Sequence, residues 1–220
     1  GYRAIGFGEG DLRLTPGELL AAIAGPDGTV NDFVSSNVAV LARELQPRYV
    51  IVEAGGKRLG ITSVLAEKYE SRLRGDELIH EPPFDALQAV AGELREKACD
   101  FHVLLASASL EDARKLAEAA PLFDLVVASG ETSLPSSELE VVGSKTRLLQ
   151  VGQKALHVAV IGLVDVQKQP LRYESVPLDA RFADSPEMLK LLAEYQEQLK
   201  DLGLEGLGIK APRHPSGRQF

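Results

Sequence analysis

Phe101-His102-Val103-Leu104-Leu105-Ala106-Ser107-Ala108-Ser109 and, beyond a polar interval, Leu125-Val126-Val127-Ala128 are two short and almost wholly apolar runs. A continuous apolar run of this length, bounded by turn residues, reads as a strand buried on both faces. Between the two, Ser109 stands where a helix through Ala119 needs its cap, and Asp112 sits at the position that reaches back to it. Strand, helix, strand is the rhythm of an α/β domain.

Upstream, Pro82-Pro83 opens a long amphipathic helix whose apolar residues Leu87, Val90, Ala91 and Leu94 recur at helical spacing. Before it, the β-rich runs Tyr49 to Glu53 and Arg58 to Thr62 flank Ala54-Gly55-Gly56-Lys57, a hairpin signal because Gly-Gly accepts the positive φ angles of tight turns. Phe33 to Val40 reads as a short strand or extended segment. Thr15-Pro16-Gly17-Glu18 is a helix start with a capping box, carrying Leu19, Leu20 and Ile23 on its apolar face until Gly25-Pro26 ends it. Downstream, Val141-Val142, Arg147 to Gln150 and Leu156 to Val164 are three further strands. A turn at Gln169-Pro170 then lets Leu171 to Pro177 pair back as a meander. A final helix runs from about Ser185 to Gly203, with Met188, Leu191, Leu192, Tyr195, Leu199 and Leu202 as its expected core-facing stripe. The pattern predicts an α/β domain over residues 1–205, a mixed sheet or two stacked sheets flanked by helices. Residues 206–220, punctuated by Gly and Pro, are expected to be an extended linker or docking tail.

Composition narrows the function classes. A net charge of -8 over 220 residues, with the basic residues dispersed, argues against nucleic-acid binding. The tail residues Lys210, Arg213, His214 and Arg218 are too sparse to be more than a weak patch. The one cysteine, Cys99, rules out an internal disulfide and a zinc knuckle, and at a helix-to-strand junction it reads as a buried structural thiol. No run approaches the roughly 18 apolar residues of a membrane helix, so no membrane span is expected.

Spacing alone assembles no catalytic constellation. Gly6-Phe7-Gly8-Glu9-Gly10-Asp11 mimics a dinucleotide fingerprint, but Asp11 stands where the third glycine belongs. His80, His102, His157 and His214 are scattered, and His102 and His157 lie in apolar strands, where a structural imidazole is the ordinary reading. Ser107 follows a strand, a favoured place for a site in an α/β fold, whereas Ser109 is explained as a cap.

The order of several segments adds what spacing does not. Tyr2 to Leu12 resembles the 5′-nucleotidase segment in which a Tyr-Asp-Ala strand leads to Gly-Asn-His-Asp/Glu-Phe. Pro16 to Leu20, Ser35 to Val38, Arg58 to Thr62, Pro83 to Ser107, Asp124 to Ser133 and Gln150 to Gly152 are similar to later segments of the same family, in the same order. The resemblance covers roughly residues 1–200. It implies a metallophosphoesterase-like layered fold lacking the family's N-terminal strands, whose first metal-ligand segments have no counterpart here. In the family, a two-metal centre held by Asp, Asn and His activates water for attack on a phosphate ester.

The departures are chemical. The family's Asn ligand falls on Glu9, its catalytic His on Gly10, the His of its Leu-Ser-His motif on Ser107, and the two His of Gly-His-Ser-His on Gly130 and Thr132. Glycine offers no ligand atom, and neutral hydroxyls are poor transition-metal ligands beside imidazole. The vestigial positions are therefore Glu9, Gly10, Asp11, Ser107, Gly130, Glu131 and Thr132, expected to gather at the C-terminal ends of neighbouring strands with no tightly bound transition metal and no cofactor. The leading expectation is a non-catalytic scaffold or interaction domain. The alternative is a phosphoesterase with a carboxylate site rebuilt around Glu9, Asp11, Ser107 and Glu131. A nucleotide-binding module is a third, weakened by aromatics at 5% and no Trp. Degenerate domains of this kind occur joined to multihaem c-type cytochromes, and Ala211 to Phe220 resembles the approach to a first haem-binding motif. That resemblance implies a multihaem cytochrome c partner and a periplasmic or extracellular location, while Pro212, Pro215 and the low apolar content of Gly208 to Phe220 lead us to expect an extended tail docked on a partner or on the domain surface.

Overall fold

Phe101–Ser107 becomes the third strand across a six-stranded mixed sheet. In chain order the strands are β1 (Val38–Val40), β2 (Tyr49–Ala54), β3 (Lys57–Leu65), β4 (Leu78–His80), β5 (Phe101–Ser107), β6 (Leu125–Ser129), β7 (Glu140–Val142), β8 (Thr146–Val151), β9 (His157–Leu163) and β10 (Leu171–Pro177). The α-helices are α1 (Pro16–Ile23), α2 (Pro83–Arg95), α3 (Leu110–Ala119) and α4 (Pro186–Gly206). The computed structural model describes residues 1–24, 32–72, 77–130, 134–164 and 171–206. The chain divides after Pro177 into two compact units, the second comprising Leu178–Phe220.

The sheet order is β2-β3-β5-β6-β8-β7. β3, β5, β6 and β8 run parallel, and β2 and β7 close the two edges antiparallel. Alternation assigns the faces. Leu104, Ala106, Val126, Ala128 and Leu148 share one core with Leu19 and Ile23 of α1, Leu87, Val90, Ala91 and Leu94 of α2, and Ala113 and Leu116 of α3. Val103, Leu125 and Leu149 face the other way, against Ala159, Ile161 and Tyr173 of the two-stranded β9–β10 ribbon. A strand buried on both sides has no polar positions to show, which is why the central strands read as continuous apolar runs.

Local chemistry explains the boundaries. Gly55 and Gly56, at φ 58 and 74, form the two-residue turn between β2 and β3. Thr15 caps α1 through a complete capping box with Glu18, and Pro16 occupies the first turn. Ser109 Oγ accepts the Asp112 N–H at 3.1 Å and donates to Asp112 Oδ2 at 2.7 Å, starting α3.

The structure departs from the sequence expectations in several places. Only Val38–Val40 of the 33–40 segment is a strand, and it pairs with β4, a three-residue strand too short to show a period. Phe33 instead makes an isolated parallel bridge to Ile5. Asn37 knits this region to the sheet end, its side chain donating to Leu65 O at 2.9 Å and accepting the Leu65 N–H at 3.0 Å. Cys99 is partly exposed, not buried. Within the unit Leu178–Phe220, described by itself, Met188, Leu191, Leu192, Tyr195 and Leu202 of the last helix are exposed and Leu199 is half-buried. Periodicity identifies which residues share a helix face but not whether anything covers it. Gly25-Pro26, Gln169-Pro170 and the 207–220 tail lie outside the described residues.

Candidate functional site

Three segments converge at the C-terminal ends of the parallel strands, the place where an open α/β sheet offers a crevice. The first is the N-terminal stretch. Phe7 is buried and its ring lies 5.3 Å from that of Phe33, so the turn that follows is anchored. Gly6 lies so close to β3 that a Cβ there would sit 2.7 Å from Ser63 Cβ. The chain then turns at Gly8–Asp11, with the Gly8 N–H donating to Asp11 Oδ2 at 2.7 Å and the Asp11 N–H to Gly8 O at 3.2 Å. The second segment is Ser107, the buried last residue of β5. The third is the exit from β6, Ser129-Gly130, flanked by Gly152 and Gln153 after β8.

These segments surround a depression of about 240 Å³ lined by Gly8, Glu9, Tyr69, Ser107, Ser129, Gly130, Gly152 and Gln153. Of the vestigial positions, Glu9, Ser107 and Gly130 are thus brought together. Gly10 is exposed, and Asp11 stands just behind the lining, its Oδ2 3.6 Å from the point a Gly8 Cβ would occupy while Ser107 Oγ is 4.0 Å from it. Glu131 and Thr132 lie outside the described residues. The sequence pattern does not mark Tyr69, Ser129, Gly152 or Gln153 as site residues. Gly152 had a signal in the Gln150-Val151-Gly152 match. Tyr69 had none, because it sits in a short 3-10 turn, Glu67–Arg72, that carries no periodic pattern.

The polar groups here are mostly engaged with the protein itself. Asp11 is committed to its own turn. Glu9 makes a loose surface pair with Arg13 at 3.7 Å. Ser129 Oγ donates to Ala106 O at 3.4 Å, and Gln153 Nε2 donates to Gly130 O at 3.5 Å. Gly130 is the most constrained: a Cβ there would fall 2.6 Å from the backbone oxygen of Ala108 and 3.0 Å from Gln150 Nε2. Any side chain at this position demands a backbone shift.

The donor set does not fit the two-metal centre that the resemblance implies. Among the described residues no group of three or more His, Cys, Asp and Glu side chains is placed to hold a metal ion. Among the described residues, the side chains lining the depression are one carboxylate, hydroxyls and an amide, with no imidazole, and such a set is a poor match to transition-metal preferences.

No protein-family model matches the chain, and no curated protein matches its sequence. Solved structures do. The 5′-nucleotidase precursor from Thermus thermophilus superposes with a TM-score of 0.73 at 20% identity, covering 91% of this chain and 44% of that one. The sulfate thiohydrolase SoxB of Thermus thermophilus, in complex with glycerol, gives 0.72 at 19% identity, covering 91% and 38%. The calcineurin-like phosphoesterase YfkN from Bacillus subtilis gives 0.65 at 12% identity, covering 90% and 70%. This chain therefore spans less than half of the first two proteins. At such identities the likeness speaks to architecture, and over nine tenths of its length this chain has the calcineurin-like metallophosphoesterase fold.

Proposed function

We propose that this chain is a non-catalytic domain of metallophosphoesterase fold that serves as a scaffold or interaction module, associated with a multihaem c-type cytochrome in the periplasm or outside the cell. The observation that carries the non-catalytic reading is Gly130, where the matched imidazole is absent and Ala108 O leaves no room for a side chain. Gly10 and Ser107, at the other two described imidazole positions, point the same way, because neither a hydrogen nor a hydroxyl replaces an imidazole. The cytochrome and compartment rest on the resemblance of the chain and its tail. The alternative, a phosphoesterase with a rebuilt carboxylate site, is opposed by Asp11 being tied to the Gly8 N–H and Glu9 being paired to Arg13.

Elemental analysis after dialysis, together with a p-nitrophenyl phosphate assay in added manganese, tests the reading. The expected result is substoichiometric metal and no turnover above background. Near-stoichiometric zinc, manganese or iron with turnover that Glu9→Gln removes would establish the rebuilt site instead. Co-purification of the full-length native protein with haem-staining polypeptide tests the partner separately.

A further inference from the structure

The last helix carries an apolar stripe that its own unit leaves exposed. α4 forms on local signals. Ser185 Oγ accepts the Met188 N–H at 3.4 Å, Pro186 takes the first helical position, and Lys190 and Glu194 pair at 3.9 Å one turn apart. The helix runs for 21 residues, about 30 Å. In the unit Leu178–Phe220, described by itself, Met188, Leu192, Tyr195 and Leu202 are between 50% and 63% exposed, and Leu199 is half-buried.

The spacing and the flanks of the stripe are those of a helix–helix seam. Met188, Leu192, Tyr195, Leu199 and Leu202 follow one another at intervals of four, three, four and three residues. A mean of 3.5 is the repeat with which one helix sets its side chains into the holes of another. Leu192 and Leu199 then fall at the first core position of the heptad, and Met188, Tyr195 and Leu202 at the second. A helix laid on a sheet needs a wider apolar face, in which one flank of this seam is apolar too. Leu189 and Leu191 supply that width in the first turns alone. From Tyr195 onward the flanking positions are Gln196 and Gln198.

Charge selects which helix. Lys190, Glu194, Glu197, Lys200 and Asp201 all fall on positions turned away from the seam, and between Met188 and Leu202 neither flank carries a charge. Flank charges are what tie a coiled-coil helix to a different partner of opposite pattern. Uncharged flanks meet their own copy without repulsion. We infer that α4 is a self-association element, pairing with α4 of a second copy of this chain in a two-stranded coiled coil. The inference goes beyond the scaffold reading above and does not rest on it.

Sedimentation equilibrium of the full chain, from micromolar to submillimolar concentration, is the test. The wild type is expected to pass from monomer to dimer across this range, because so short a seam binds with modest affinity. Leu192→Glu with Leu199→Glu is expected to remove the dimer and to leave the urea midpoint of the chain unchanged. Charging the flanks separates a second copy from any other cover. At low salt, a Gln196→Lys, Gln198→Lys variant and a Gln196→Glu, Gln198→Glu variant are each expected to self-associate about tenfold more weakly, and their mixture to recover the dimer. A wild type that stays monomeric at the highest concentration overturns the inference, as does a dimer that Leu192→Glu with Leu199→Glu leaves intact. A monomeric chain whose urea midpoint falls in that double variant overturns it too, and assigns the stripe to a surface of its own chain.

Discussion

Gly130 shows how a single missing side chain becomes locked into a structure. With Ala108 O 2.6 Å and Gln150 Nε2 3.0 Å from its would-be Cβ, the position is packed for hydrogen. Gly130→Ala is expected to destabilise the protein by about 1–3 kcal/mol, the usual cost of overpacking where the obstacle is backbone. Urea denaturation measures it, and an unchanged midpoint would mean that the β6 exit yields freely. The same contact predicts that Gly130→His does not restore metal binding. Calorimetric titration with zinc is expected to give no heat beyond that of the wild type. Gly6 tells a parallel story, because it is held against Ser63 by closeness and not by φ.

At the scale of one element, α3 is the helix whose ends and face can be tested separately. Its start depends on Ser109, whose hydroxyl satisfies the Asp112 N–H. Ser109→Ala is expected to cost about 1 kcal/mol in urea denaturation, the ordinary value of an N-cap. Its outward face is tied to edge strand β7 by a two-pronged pair, Arg114 Nε to Glu140 Oε1 at 2.6 Å and Nη2 to Oε2 at 2.9 Å. The Arg114 hydrogen bonds hold the Glu140 carboxyl below the ordinary range near 4.5. A carboxylate depressed in the folded state adds stability above its unfolded value, and that contribution is lost as pH falls through and below this range. The side chains are 36% and 39% exposed, so solvent screening keeps the pair below about 1 kcal/mol. Arg114→Gln is therefore expected to lower stability slightly at pH 7, with the difference shrinking as pH falls below the ordinary carboxylate range. A gap that widens on acidification would reverse the assigned sign.

For the whole molecule, the division after Pro177 makes a direct prediction. Gly1–Pro177 contains both described core clusters, on the two faces of the sheet. A chain ended at Pro177 is expected to unfold in one cooperative transition, with a midpoint within a few degrees of the parent, because the buried apolar area that drives folding is retained. Loss of cooperativity would show that α4 belongs to the core. The exposed Met188, Leu191, Leu192, Tyr195 and Leu202 on that helix form an apolar face in a unit described on its own.

Elements whose signals are local can be read directly from adjacent residues. The Gly55-Gly56 turn, the caps at Thr15 and Ser109, and the apolar runs at 101–105 and 125–128 each follow from backbone conformation or burial on two faces, written in a few adjacent residues. Glu9, Ser107 and Gly130 were legible as a set only through the order of resembling segments, since no spacing rule links residues so far apart. Tertiary structure alone decided three further matters. It packed Ala108 O over Gly130, and it brought Tyr69 and Gln153 to the depression from a 3-10 turn and a strand end. It also brought Leu94, Cys99 and His102 up against Gly60. Each of these is a close approach between segments distant in the chain, governed by how the strands are ordered in the sheet. The α4 stripe shows the limit of a local signal, because a period of 3.6 fixes which residues share a face and does not name what that face buries against.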